Sequence, residues 1–384
     1  MSPERIYCDY NATAPLRPEA VAAVSRALGV TGNPSSVHAE GRKARAAVEA
    51  AREAVAASIG ACRDDIAFTS GGTEAVGLAL RGAMRAAANV TLLASGIEHD
   101  AVTTVAGDVS AWPVDRNGVV DLGWLREQVK ALAGKGVRPL VSLMLVNNET
   151  GVIQPVAEVA EIAHAAGGLI HCDAIQALGK IEVSVIELEV DYLSLSAHKI
   201  GGPQGIGATY AKAGAPFAAV QTGGGQEFGR RAGTENVAGI VGFAAAVNAA
   251  LNGMTAYAEL AQHRDRMEQR LKAAAPTLQL HGAGAARVAG VSCFGVEGLP
   301  SETQIMSLDL AGFAVSAGSA CSSGKVKPSR VLTAMGLSDT AARSAIRASF
   351  GWASDWRDFD ALAEAWIKMA ARARPQLVKL DAHV

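Results

Sequence analysis

The sequence predicts an α/β protein: a large domain built on a mostly parallel sheet flanked by helices, with a smaller α+β domain beside it. Three observations carry that expectation. Between residues 66 and 205, apolar runs of strand length alternate with longer helical patterns, the rhythm that places crossover helices between parallel strands. Each of those runs stops at a group of polar residues. After about Tyr257 the rhythm changes to a charged helix (259–272), a strand (291–296) and a long loop of small residues. With 384 residues the chain is too long for one simple core, and 49% apolar content is ample for burial.

Taken in order, a short strand-like run near Ile6 meets the turn Asn11-Ala12-Thr13-Ala14-Pro15. A helix is expected over 18–28, with proline in its first turn and Gly29 past its end. A loop rich in turn formers (32–38) leads to a second helix over about 41–59, ended by Gly60. Residues 66–69 form a strand, then Ser70-Gly71-Gly72-Thr73-Glu74 opens a helix running to about Ala87. Backbone N–H groups at Gly72 and the Thr73 hydroxyl suit a phosphate there. The same residues also read as ordinary helix capping.

The next strands, 90–94, 141–146 and 169–172, end at Glu98-His99-Asp100, Asn147-Asn148-Glu149 and Asp173-Ala174-Ile175-Gln176, with a crossover helix over 156–166. The last alternation, around Leu193 and Leu195, stops at Ser196-Ala197-His198-Lys199 and breaks into Gly-Gly-Pro. One sheet edge therefore gathers His99, Asn148, Asp173, Gln176, Ser196, His198 and Lys199. Singly, each has a plain explanation: a surface histidine, an N-cap aspartate, an asparagine turn. Together they supply a lysine able to form a Schiff base, a carboxylate, a histidine and an anion cradle. That set matches what pyridoxal phosphate needs.

Charge and cysteine use narrow the class. A net charge of −2 with acids and bases intermixed offers no field for nucleic acid. The amino terminus has no signal-like apolar region, and the longest apolar stretch, 240–251, is interrupted by Asn248 and too short for a bilayer. A soluble, cytoplasmic protein is expected, with no membrane partner. The five cysteines form no CxxC pair, so reduced thiols and no metal site are expected. Cys8, Cys62, Cys172 and Cys293 read as small buried hydrophobes. Cys321 differs, lying among Ser, Gly and Ala with Lys325 and Lys327 behind it, a setting for an exposed, reactive thiolate. The glycine-arginine loop 223–234 lacks the strand, spacing and acid of a dinucleotide fingerprint.

A set of stretches running through nearly the whole chain carries a resemblance: Asp9-Tyr10-Asn11-Ala12-Thr13, Gly32-Asn33-Pro34-Ser35-Ser36-Val37-His38, Thr69-Ser70-Gly71-Gly72-Thr73-Glu74, Ile97-Glu98-His99, Val146-Asn147-Asn148-Glu149, His171-Cys172-Asp173-Ala174, Ser196-Ala197-His198-Lys199, Ala232-Gly233-Thr234, Gly318-Ser319-Ala320-Cys321 and Ser344-Ala345-Ile346-Arg347. It resembles the cysteine desulfurases of the NifS/IscS type, group I, within the class V aminotransferases of fold-type I pyridoxal enzymes. The resemblance implies a seven-stranded, mostly parallel sheet in a large domain (14–256), and a small domain (1–13 and 257–384) carrying the catalytic cysteine loop.

It further implies pyridoxal 5'-phosphate as cofactor and L-cysteine as substrate. Lys199 would form the Schiff base and move the Cα proton, Asp173 would meet the pyridinium nitrogen and Gln176 the phenolic oxygen. His99 would lie over the ring, and Gly72, Thr73, Ser196 and His198 would hold the phosphate, with Thr234 reaching in from the second subunit of a homodimer. Asn148 and Arg347 would hold the substrate carboxylate. Cys321 would attack the substrate sulfur, giving a persulfide for a sulfur-acceptor protein, as in iron–sulfur cluster assembly, and alanine.

Ala317 and Ala232 stand where the family often has serine. The sequence ends soon after Leu377, without the longer tail that helps IscS-like members dock a scaffold, which leaves the acceptor open. Other readings are a selenocysteine lyase or another class V lyase or transaminase, and a non-catalytic partner subunit of the same fold.

Overall fold

The computed structural model describes residues 5–107, 112–318 and 328–378. The chain opens with β1 (Ile6–Tyr7), α1 (Pro18–Leu28) and α2 (Ala39–Ala57). His38 caps α2 by accepting the Gly41 N–H through its ring, and Gly60, at φ +67°, turns the chain beyond it. There follow β2 (Ile66–Thr69), α3 (Gly72–Ala86), β3 (Val90–Ala94), α4 (Asp100–Ala106), α5 (Leu122–Gly134), β4 (Arg138–Met144), α6 (Val156–Ala165), β5 (Leu169–Asp173), β6 (Tyr192–Ser196) and β7 (Gly207–Ala211).

These strands form one sheet in the order β2-β7-β6-β5-β4-β3. β3 to β6 are mutually parallel, while β7 runs antiparallel between β6 and β2. The link from Ser196 to Gly207 is too short for a crossover helix, so the chain turns back on itself. The expected seventh strand is not seen: the described residues give six, and Ser95, just past β3, adds only an isolated parallel bridge to Trp112. β4 to β7 are buried nearly throughout, which explains why they read as apolar runs and not as clean alternation.

α7 (Val237–Asn252) and α8 (Met254–Ala274) lead to β8 (Gln279–His281), β9 (Val291–Gly295), α9 (Ser301–Leu310), β10 (Phe313–Ala314), β11 (Ser316–Ala317), α10 (Arg330–Ala334), α11 (Asp339–Arg343), β12 (Ala345–Ser349) and α12 (Trp356–Ala373). A second, antiparallel sheet has the order β11-β12-β9-β8. β1 pairs in parallel with β10, and Asp9 bridges to Ser349, so residues 6–9 lie along this later part of the chain. One apolar cluster runs from Leu193 and Leu195 of the first sheet to Phe294 and Trp366 around the second.

Cys8, Cys172 and Cys293 are buried as expected, but Cys62 is exposed. It sits in the loop between α2 and β2, just past the glycine that ends the helix pattern, where no apolar face covers it. Among the described residues, no single helix is long and apolar enough to cross a membrane, and no cluster of residues suits a metal.

Candidate active site

Met144, Asp173 and Ser196 close three neighbouring strands, with Met144 in register with Asp173. Parallel strands start and stop together, so their last side chains share an edge. A cavity of about 790 Å³ lies against that edge. Its wall includes Gly72, Thr73, His99, Asn148, Asp173, Gln176, Ser196, His198, Lys199 and Arg347. Of the residues singled out in the sequence, Thr234 is exposed and outside this wall, and Cys321 lies outside the described residues. Gly318 and Pro328, which flank residues 319–327, are both on the wall.

Lys199 ends the short 3-10 turn that follows β6. Its Nζ donates to the carbonyls of Asn11 at 2.7 Å and Ala12 at 2.8 Å. Burial, and then the nearby Arg347 guanidinium, push the amine down to about 8 against the pull of Asp9 and Asp173. A neutral, nucleophilic amine is therefore within reach of ordinary pH. Asp173 is buried, its Oδ1 accepts the Ile175 N–H at 3.0 Å, and burial raises its carboxyl above the usual range. A cation placed against it would answer that desolvation.

The Gly-Gly-Thr turn becomes the start of α3, whose N-cap, Gly71, gives no side-chain cap. The capping reading is partly realised through Glu74, which accepts the Ser70 N–H at 2.7 Å and pairs with Arg231 at 2.8 Å. A Cβ on Gly72 would come within 2.4 Å of Ile175 Cδ1 and 3.3 Å of Ser196 Cβ. Ser196 Oγ is buried and has no partner among the described residues. Burial, then Lys199, lowers His198 to about 4, so its ring is neutral. A second hollow of about 510 Å³ shares Gly72, Thr73, Ser196 and His198 and adds Ser70 and Gly71.

His99 caps α4 by accepting the Ala101 N–H at 3.1 Å while lining the cavity; the plain explanation and the functional one hold at once. Asn147, not Asn148, makes the turn, its Oδ1 accepting the N–H groups of Glu149 and Thr150. The Asn148 carbonyl accepts from Asn11 Nδ2 at 2.9 Å and Arg347 Nη1 at 3.0 Å. Arg347, on β12, pairs with Asp9 at 2.7 Å, and its buried Nε has no partner among the described residues. That leaves a charged donor for an incoming carboxylate.

Sequence reasoning missed Asp9, Asn11, Glu98, Glu149 and Lys180. Asp9 and Asn11 stood inside quoted stretches without a role. Glu98 is buried, and burial followed by the nearby Asp173 holds its carboxyl well above the usual range. Glu149, also buried, accepts from Ser329 Oγ. Lys180 lies four residues after Gln176, and its amine is buried; desolvation first, and then Lys199, lower it to about 7. The only signal for it was that spacing.

The donor set fits pyridoxal phosphate. An orphaned buried hydroxyl and uncapped helix N–H groups meet the needs of a phosphate, Asp173 those of a pyridinium, and Lys199 those of an aldehyde.

The chain matches the model of the aminotransferase class-V family over residues 6–362. It is 43% identical over 372 residues to a cysteine desulfurase of Cereibacter sphaeroides, covering 94% of each chain. It is similar to the solved structure of a NifS-like protein from Rickettsia africae, at 30% identity and TM-score 0.87, covering 95% of this chain and 99% of that one. A structure of SspA in complex with cysteine matches at 29% identity and TM-score 0.75, over 90% of this chain and 98% of that one.

Proposed function

Because this chain belongs to the class-V aminotransferase family, we propose that it is a cysteine desulfurase. It removes sulfur from L-cysteine, releases L-alanine and holds the sulfur as a persulfide on Cys321. Its cofactor is pyridoxal phosphate, which when bound supplies an electron sink that loosens the Cα–H and C–S bonds of the amino acid. Lys199 provides the amine that attaches the cofactor and afterwards carries the Cα proton. Asp173 holds the ring nitrogen and Gln176 the phenolic oxygen, while His99 shields the ring and relays protons. Gly72, Thr73, Ser196 and His198 hold the phosphate.

Asn148 and Arg347 receive the substrate carboxylate, Arg347 through the donor that Asp9 leaves free. The Cys321 thiolate then attacks the substrate sulfur. An S–S bond forms, the C–S bond breaks with its electron pair left on the substrate carbon, and that carbon takes a proton to become the methyl group of alanine. Support for the cysteine comes from Gly318 and Pro328, both on the cavity wall.

Residues 14–256 form the cofactor-binding unit, and residues 1–13 with 257–384 the unit bearing the cysteine. The enzyme acts as a homodimer in which Thr234, exposed in its own chain, completes the phosphate site of its partner through the second hollow. Free thiols at Cys8, Cys62, Cys172 and Cys293 suit the reducing cytoplasm. The sulfur passes to an acceptor protein, as in iron–sulfur cluster assembly.

The observation that carries this reading is the convergence of Lys199, Asp173 and the unpartnered Ser196 hydroxyl on one cavity. With pyridoxal phosphate and L-cysteine, the chain is expected to release alanine and, with a reducing thiol, sulfide in equal amounts. Cys321→Ala is expected to abolish sulfide release while the absorbance of the bound cofactor stays intact. Normal desulfuration by that variant, or turnover of selenocysteine alone, would refute the proposal.

A further inference from the structure

Lys180 has no part in the chemistry above, yet it is buried and bonded to two residues of the site. The turn after β5 brings it back beneath Gln176. Gly179 makes that possible: it sits at φ +72°, and a Cβ there would come within 2.7 Å of Ala250 Cβ. Lys180 Nζ lies 2.6 Å from Gln176 Oε1 and 2.8 Å from Asn11 Oδ1. Gln176 Nε2 donates to the Asn11 carbonyl at 2.9 Å, and that carbonyl also receives Lys199 Nζ at 2.7 Å.

An amide can sit either way round in a cavity of this shape, and the two orientations offer opposite groups to a ligand. The partner decides which one holds. A lysine amine has at least two N–H donors whether or not it is protonated, and here two oxygens take them. Both amides must therefore turn their carbonyl oxygens toward Lys180 and their NH₂ groups away. For Asn11, the NH₂ group then meets the Asn148 carbonyl. For Gln176, one N–H meets the Asn11 carbonyl, and the other is left for an acceptor in the cavity that Gln176 lines.

We propose that Lys180 is a positioning residue that locks the side-chain amide of Gln176, so that it offers N–H, not C=O, to the phenolic oxygen of pyridoxal phosphate. This rests on the reading of the cavity as a pyridoxal phosphate site. Without Lys180 one of the two bonds that fix the amide is lost and only the Asn11 carbonyl still holds it; where the amide turns, a carbonyl facing a phenolate repels it. The phenolic oxygen then becomes more basic, and the proton shared between it and the Lys199 linkage is held more tightly. Below about pH 7, where Lys180 carries its proton, the Lys199 amine also loses a neighbouring cation, which acts in the same direction.

The test is a pH titration of the visible absorption of the holoenzyme. In Lys180→Met, the midpoint of the spectral change is expected to rise by about one pH unit, the effect of losing one hydrogen bond to a charged oxygen. Gln176→Ala is expected to raise it similarly. Lys180→Met introduced into Gln176→Ala is expected to add much less than it does in the parent, because the two act on one oxygen. Lys180→Gln, which keeps N–H donors on a shorter side chain, gives an intermediate shift if Lys180→Met does not accumulate folded.

Shifts from Lys180→Met that are equal in both backgrounds would overturn the proposal, showing that charge alone acts. A shift in Gln176→Ala without one in Lys180→Met or Lys180→Gln would overturn the assignment of Lys180 while leaving the site intact. A chain that binds no pyridoxal phosphate would overturn the proposed function itself, and this assignment with it.

Discussion

On the sheet side of the cavity, Asp173, Ser196 and Lys199 are placed by strand register and one tight turn, so their positions follow from backbone hydrogen bonds within a buried sheet. On the other wall, Arg347 projects from β12 of the second sheet, and Arg347, Arg330 and the adjoining Ser329 are tied through their side chains to Asp9, the Glu98 carbonyl and Glu149, partners 338, 232 and 180 positions away. The sheet wall is stiff because Asp173 and Ser196 share a strand ladder and Lys199 follows it by one tight turn. The other wall is a set of separate ties, each removable by one substitution. Under the proposed function the stiff wall holds the cofactor, and the tied wall meets the substrate and frames the cysteine. Attachment and substrate capture are therefore separable.

The largest expected break in that separation is at Arg347. Arg347→Lys keeps a cation for Asp9 but loses the planar fork. The KM for L-cysteine is expected to rise about 100-fold, the scale of one or two charge-assisted hydrogen bonds. Steady-state kinetics beside a cofactor-binding titration checks this. An equal loss of cofactor affinity would mean that the two walls are not independent.

A smaller effect is expected at Gly318. A Cβ there would come within 2.3 Å of Glu149 Oε2 and 2.9 Å of Ser329 Cβ, at the tie between Glu149 and Ser329. Gly318→Ala is expected to cost about 1–3 kcal/mol, the range for overpacking, read as a lower urea midpoint. Cofactor absorbance should be unchanged. An unaltered midpoint would show this wall to be loosely packed.

The smallest effect sharpens the comparison from the sheet side. Burial lowers Lys180 from 10.5 to about 7, so between those values the folded chain binds fewer protons than the unfolded one. Stability then rises with pH across that window, and the penalty is full below about 7. Lys180→Met removes this contribution. Between about pH 7 and pH 9 the parent is expected to gain stability more steeply than the variant, by up to about 1.4 kcal/mol per pH unit. Urea midpoints of the chain without added cofactor measure it; parallel slopes would show Lys180 to be solvated.

Much of this molecule is local and was therefore readable from the sequence. α1 spans the residues that its proline and glycine signals mark, and β2, β3 and β5 lie where their apolar runs lie. The gathering of His99, Asn148, Asp173, Ser196 and Lys199 followed from one rule, that parallel strands joined by crossovers end on one edge. Periodicity could not show β7, because a buried antiparallel strand of Gly, Ala, Thr and Tyr has no amphipathic alternation to detect. Nor could it show that Cys62 is exposed, since a cysteine carries no marker of which side of a loop it faces.

The sequence by itself determined which residue types stand at the strand ends, because strand period and chain direction are properties of neighbouring residues. Only the tertiary structure decided what those residues touch: that Asp9 holds Arg347, that Asn11 joins Lys199 to Lys180, and that an amine beneath Gln176 orients its amide. Such contacts join positions as many as 338 residues apart. Their geometry depends on how sheets and helices stack, and no local pattern encodes it.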